Sequence, residues 1–176
     1  GYAVGATKLL SGIAEGADWR IVSPKLFAGG SYGNGAAMRA APIGGYFSGD
    51  PERAAMEARL SAEVTHAHPE GQAGAIAVAV AASISSSRDQ VALTDFLDDV
   101  LDFVPRSITG EGIAAAREIP ADQLILAIRD LGTGQNVSSQ DTVPFCLWIA
   151  ANYPNDLEEA LRMTLQGMGD CDTTCA

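Results

Sequence analysis

Apolar residues recur at helical spacing along almost the whole chain, and no run alternates apolar with polar for a convincing length. A strand needs side chains at period two and a helix at period 3.6, so this pattern excludes most sheet architectures at once. Short strands are conceivable only near Ala79-Val80 or Leu126-Ala127-Ile128. The spacing predicts an all-α fold of about seven helices with short connections. At 176 residues, the chain fits one domain, able to bury roughly two-thirds of its unfolded surface. Neither an internal repeat nor a low-complexity linker divides it.

Residues 3–15 carry Val4, Leu9, Leu10 and Ile13, with Gly16 as a stop. Asp50-Pro51-Glu52 is a start signal: a capping carboxylate, a proline suited to the first turn, and an acid at the positive helix end. Met56, Leu60 and Val64 then recur every four residues as one buried stripe. Residues 73–87 are apolar nearly all round, with Ile76, Val80 and Ile84 in register, which predicts a central buried helix. Thr94-Asp95 opens a helix with Phe96, Leu97, Val100, Leu101 and Val104 inward. Pro120 opens another, with Leu124, Ile125, Ile128 and Leu131, stopped by Gly132. Pro144 begins one through Phe145, Trp148 and Ile149. Asn155-Asp156-Leu157-Glu158 resembles a capping box for a last helix ended by Gly167.

With 11 basic and 22 acidic side chains, the net charge of −11 disfavours nucleic acid as a partner. No stretch of about 20 apolar residues predicts a membrane span. Gly1-Tyr2-Ala3-Val4-Gly5 lacks the pattern of a secretory leader. Three scattered cysteines (Cys146, Cys171, Cys175) do not form a disulfide framework; they read as small core residues in a reducing cytoplasm.

Three segments carry chemistry. In Gly29-Gly30-Ser31-Tyr32-Gly33-Asn34-Gly35, glycines allow positive φ and close approach of a ligand to the main chain. Consecutive N–H groups can form an anion nest, a helix from Ala36 would add its positive end, and Tyr32 offers a stacking face. A tight surface turn explains the same glycines. Thr65-His66-Ala67-His68-Pro69 holds the only two histidines. On a helix their rings diverge by about 200°, so a zinc pair lacks support. The alternatives are a helix-ending His68 beside a carbonyl-satisfied His66, or a ligand-contacting His66. Gly169-Asp170-Cys171-Asp172-Thr173-Thr174 offers two carboxylates and a hydroxyl, hard oxygen donors suited to Mg²⁺ or Mn²⁺; a solvated acidic helix cap would use the same residues.

Taken together these segments resemble a known family. Gly30-Ser31-Tyr32-Gly33-Asn34-Gly35-Ala36-Ala37-Met38-Arg39, followed by Ala41-Pro42, is similar to the central motif of the ADP-ribosylglycohydrolases. Leu60 to Pro69 follows at the family's position, then Ser139-Gln140-Asp141-Thr142-Val143-Pro144-Phe145, similar to its serine/threonine-valine-proline motif. Gly169-Asp170-Cys171-Asp172-Thr173-Thr174 is similar to its Gly-Asp-x-Asp-Thr metal motif. The resemblance implies a compact orthogonal all-α domain that cleaves the glycosidic bond at C1″ of an ADP-ribosylated side chain or related conjugate. It implies two Mg²⁺ (Mn²⁺ as the variant), with Asp170, Asp172 and Thr173 as ligands. Gly30, Ser31, Tyr32, Gly33, Asn34 and Gly35 would wrap pyrophosphate and ribose, His66 would line the site, and Val137 would meet the adenine end.

One departure is large. The family's threonine-aspartate-aspartate metal motif and its catalytic glutamate lie upstream of the glycine loop, and no Thr-Asp-Asp triplet occurs here. On the resemblance, residues 1–176 read as the central-to-C-terminal portion of one such domain. Its N-terminal metal half and last helices are absent on this reading, and the chain alone would have little activity. The competing functional reading is an ADP-ribose or nucleotide-binding module without catalysis; the blandest is an acidic all-α structural domain.

Overall fold

The computed structural model describes residues 4–87 and 93–176; Gly1 to Ala3, read above for a leader pattern and for the first helix, lie outside the described residues. The first half is α1 (Val4–Ala14), α2 (Trp19–Val22), α3 (Gly35–Met38), α4 (Ala41–Tyr46), α5 (Pro51–Glu63) and α6 (Pro69–Ser87). The second half is α7 (Leu93–Leu101), α8 (Ile108–Ala116), α9 (Leu124–Leu131), α10 (Val143–Asn152), α11 (Leu157–Leu165) and α12 (Cys171–Thr174). Two 3₁₀ turns, Ser23–Lys25 and Ser139–Asp141, complete the order. Among the described residues there is no strand, only one antiparallel bridge between Gly33 and Ser138. The all-α reading holds, with more and shorter helices than the spacing predicts.

The central helix is α6, whose Ile76, Val80 and Ile84 are buried as expected. It begins at Pro69, earlier than residue 73, because proline suits a first turn where its missing N–H costs nothing. On one side it meets a core that includes Leu97 and Val100 of α7, Ile113 of α8, and Phe145 and Trp148 of α10. The Phe145 and Trp148 rings lie stacked with centroids 6.5 Å apart, and the buried Trp148 Nε1–H donates to the Ile119 carbonyl at 2.9 Å. Its other side meets an alanine-lined layer: Ala36, Ala40, Ala54, Ala58 and Ala62 against Ala75 and Ala79.

That layer overturns one expectation. The buried face of α5 is Ala54, Ala58 and Ala62, while Met56 and Leu60 are 41% and 45% exposed. Two residues along a helix rotate by about 200°, so the two sets lie on nearly opposite faces. Alanine lets α5 approach α6 closely, and the longer side chains are left at the rim. Leu60 there joins Pro42, Ile43, Tyr46 and Phe47 around an open groove of about 600 Å³. Similarly, Ile125 is exposed while Ala127 and Leu131 fill the α9 face. In α1 only Leu9 is buried. The spacing also missed α8, because Gly110 and Gly112 weaken its helical signal. Two features hold its start: the Ser107 Oγ accepts from Gly110 N at 3.0 Å, and the buried Glu70 carboxylate accepts from Ile108 N and Thr109 N at 2.8 and 2.9 Å.

Candidate active site

Segments far apart in sequence converge beside the N-terminus of α6. The glycine loop leaves a turn in which Gly30 N–H donates to the Phe27 carbonyl. Gly30 has φ +99°, and a Cβ there would stand 2.5 Å from the His68 nitrogen, so both conformation and space require glycine. The loop is then clamped by residues 137–139. Asn34 N–H donates to the Val137 carbonyl (3.3 Å), Ser139 N–H to the Tyr32 carbonyl (3.0 Å), and Ser139 Oγ to the Gly33 carbonyl (3.2 Å). Gly33 N–H donates to Ser31 Oγ at 3.2 Å. Three loop N–H groups, those of Gly30, Gly33 and Asn34, are therefore engaged within the protein. The run of converging donors is smaller than the glycine content suggests. The helix after the loop, α3, is a single turn and adds little dipole.

Asn34 is the junction of the site. It is 3% exposed, and its Nδ2 donates to Thr142 Oγ1 at 3.1 Å and to Asp170 Oδ2 at 2.7 Å. Thr142 Oγ1 in turn donates to the Ser138 carbonyl at 2.8 Å. The Asp170 backbone is fixed by its own N–H to the Thr133 carbonyl (3.1 Å), and Gly134 lies beneath it, where a Cβ would meet Asp170 Cβ at 2.8 Å. Burial raises the Asp170 carboxyl, but its hydrogen bond from Asn34, then its interactions with the Asp172 and Thr173 side chains, outweigh that and hold it below the ordinary carboxylate value. Asp172 is exposed, and Thr173 Oγ1 contacts Met38 Sδ at 3.5 Å, so α12 faces the end of α3.

Neither histidine lies on a helix; both sit in the connection between α5 and α6 and face the glycine loop. His68 meets the exposed Tyr32 ring edge-on, with centroids 5.4 Å apart, and its Nδ1 accepts from Glu70 N at 3.1 Å. The His66 ring lies against the loop: a Cβ at Gly33 would sit 3.3 Å from its Nε2, and one at Gly35 3.3 Å from its Cε1. Burial, and then the charge of Arg39, lower the His66 pKa to about 4, so the ring is neutral at pH 7. Val137 is a β-branched residue held at φ +53° and 57% exposed, a conformation that costs energy and is fixed here by its hydrogen bond to the loop.

The ADP-ribosylglycohydrolase family model matches residues 3–176. The chain belongs to that family. An uncharacterised protein of Archaeoglobus fulgidus is 30% identical over 177 residues, an alignment covering 97% of this chain and 53% of that relative. The chain thus spans about half the length of the relative it matches.

In this member of the family the Asp170 segment brings together donors of the kind a hard cation prefers: one carboxylate oxygen of Asp170 beyond the one held by Asn34, the exposed Asp172, and the Thr173 hydroxyl. The set fits one side of a shell. Among the described residues no group of three or more His, Cys, Asp or Glu side chains is placed to hold a metal ion by itself. Cys146, Cys171 and Cys175 are free and half-buried; burial first, then Cys175, push the Cys146 thiol up to about 12, far from a thiolate ligand. Sequence reasoning gave no role to Thr142, Gly134, Thr65 or Arg39. Thr142, Thr65 and Arg39 stand inside the quoted motifs, but only the fold shows what their side chains touch.

Proposed function

We propose that this ADP-ribosylglycohydrolase is a metal-dependent hydrolase that cleaves the glycosidic bond between ADP-ribose and a modified protein side chain or related conjugate. The observation that carries the reading is the Asn34–Asp170 hydrogen bond, which ties the glycine loop to the carboxylate motif across 136 positions of sequence. A loop suited to phosphate and ribose, and carboxylates suited to Mg²⁺ or Mn²⁺, then belong to one site. Asp170, Asp172 and Thr173 would hold the cation side of the site, with two Mg²⁺ as the working stoichiometry. When bound, such a metal pair supplies orientation of ribose hydroxyls and polarisation of water.

The chain's own residues do the rest. Asn34 keeps one Asp170 oxygen occupied and so presents the other in a fixed direction. Ser31, Tyr32 and Gly35 line the ligand path, with Tyr32 half-exposed and braced by His68 for stacking on a ring. Val137, exposed at the loop's far edge, offers an apolar contact for the base. The net charge of −11 opposes an anionic ligand at long range, so the affinity must come from local donors and the cations. Asp172→Asn, introduced into the full-length protein that carries these residues, tests this reading in an assay of ADP-ribose release from a modified protein. The rate should fall at least about a hundredfold, the scale of losing one electrostatic stabiliser of a transition state. An unchanged rate contradicts it.

A further inference from the structure

Behind the glycine loop, three side chains form a connected line. The Arg39 guanidinium donates through Nη1 to the Gly35 carbonyl (3.3 Å) and through Nη2 to the Ser61 carbonyl (2.9 Å) and Thr65 Oγ1 (2.8 Å). Thr65 Oγ1 lies 2.7 Å from His66 Nδ1. The far edge of that ring faces Gly33 and Gly35, and a Cβ at Gly71 of α6 would stand 3.0 Å from His66 Cβ, so the side chain is seated between the loop and α6.

The donor inventory orders this line. A guanidinium only donates, so Thr65 Oγ1 accepts from Arg39. The hydroxyl carries one proton of its own, and the ring nitrogen at 2.7 Å is the acceptor in reach. Nδ1 is then unprotonated, and a neutral imidazole must carry its hydrogen on Nε2. Burial and the nearby positive charge both favour the neutral ring.

We propose that Arg39 and Thr65 are positioning residues that hold His66 as a single neutral tautomer, its Nε2–H directed at Gly33–Gly35 as a donor to an acceptor oxygen of the ligand. The site then recognises an anionic or hydroxyl oxygen through an uncharged donor, whose protonation stays constant near neutral pH. That the oxygen belongs to ADP-ribose rests on the function proposed above; the tautomer does not.

Long-range ¹⁵N–¹H correlation NMR of the chain reads this directly, because there are only two histidines and a His66→Gln variant assigns them. At pH 7, His66 should show an unprotonated Nδ1 and a protonated Nε2. Thr65→Val should introduce the Nδ1–H form, and Thr65→Ser should restore the original spectrum. A protonated Nδ1 in the unsubstituted chain, or a Thr65→Val spectrum identical to it, overturns the proposal; the unsubstituted chain decides even if Thr65→Val fails to fold. ADP-ribose titration of the same samples should show about fivefold weaker binding for Thr65→Val, the loss of one net hydrogen bond. A chain with the Nε2–H tautomer that binds no ADP-ribose supports the positioning role and overturns the ligand assignment.

Discussion

At Asn34 one carboxamide nitrogen serves two acceptors, Thr142 and Asp170, from a position with almost no solvent access. Replacing it by alanine removes the donor from the part-buried Asp170 carboxylate and from the buried Thr142 hydroxyl, which keeps only its own bond to the Ser138 carbonyl. Asn34→Ala should therefore cost about 2–3 kcal/mol, the range for a lost hydrogen bond to a charged group plus an unsatisfied partner. Urea unfolding measures the cost. His66 gives a second residue-scale outcome. Its folded pKa is about 4, below the ordinary 6.5, so between these values the unfolded chain binds the proton and the folded chain does not. Stability from this group is complete above pH 6.5 and is lost as pH falls towards 4, by at most about 3 kcal/mol. A His66→Gln chain should lack that part of the slope in urea titrations across the window. At this scale the residue types of the site were legible, because glycine, carboxylate and histidine have narrow chemistry. Their partners were not: nothing in the neighbourhood of Asn34 in sequence shows that its amide faces inward to Asp170.

Between elements, Glu70 links α6 to α8. Its carboxylate also accepts from the Thr109 hydroxyl at 2.8 Å, so three donors at the start of α8 depend on a residue from another helix. Anions at a helix N-terminus meet both its free N–H groups and its dipole. Glu70→Ala should destabilise the chain by about 3 kcal/mol in urea, while Leu60→Gln, on the exposed side of α5, should change stability by no more than about 0.5 kcal/mol. The second outcome separates the two faces of α5. Periodicity found the helix and its start at Asp50, whose carboxylate accepts from Arg53 N at 3.0 Å. It chose the larger apolar set as the buried one, although tight packing against Ala75 and Ala79 selects alanine. In α8 the glycines that hide the helix from a propensity reading sit where neighbours press closest: a Cβ at Gly112 would stand 2.6 Å from Pro144 Cγ.

Across the whole molecule, the glycine loop, residues 137–142 and the Asp170 segment meet at Asn34, as one ligand site on the function proposed above. The all-α class was legible from the helical spacing of apolar residues, and the family from four motifs standing in order. The convergence was not legible, since it depends on α6 holding the loop on one side and on residues 137–142 and α12 approaching from the other. Convergence makes a joint prediction that separate sites would not: ligand affinity and metal should be coupled through Asn34 and Asp170. Calorimetry of the chain with ADP-ribose, with and without Mg²⁺, tests this most directly. Binding should strengthen with Mg²⁺ and lose that dependence in Asp170→Asn. Affinity equal with and without the metal, or no binding in either condition, would contradict it.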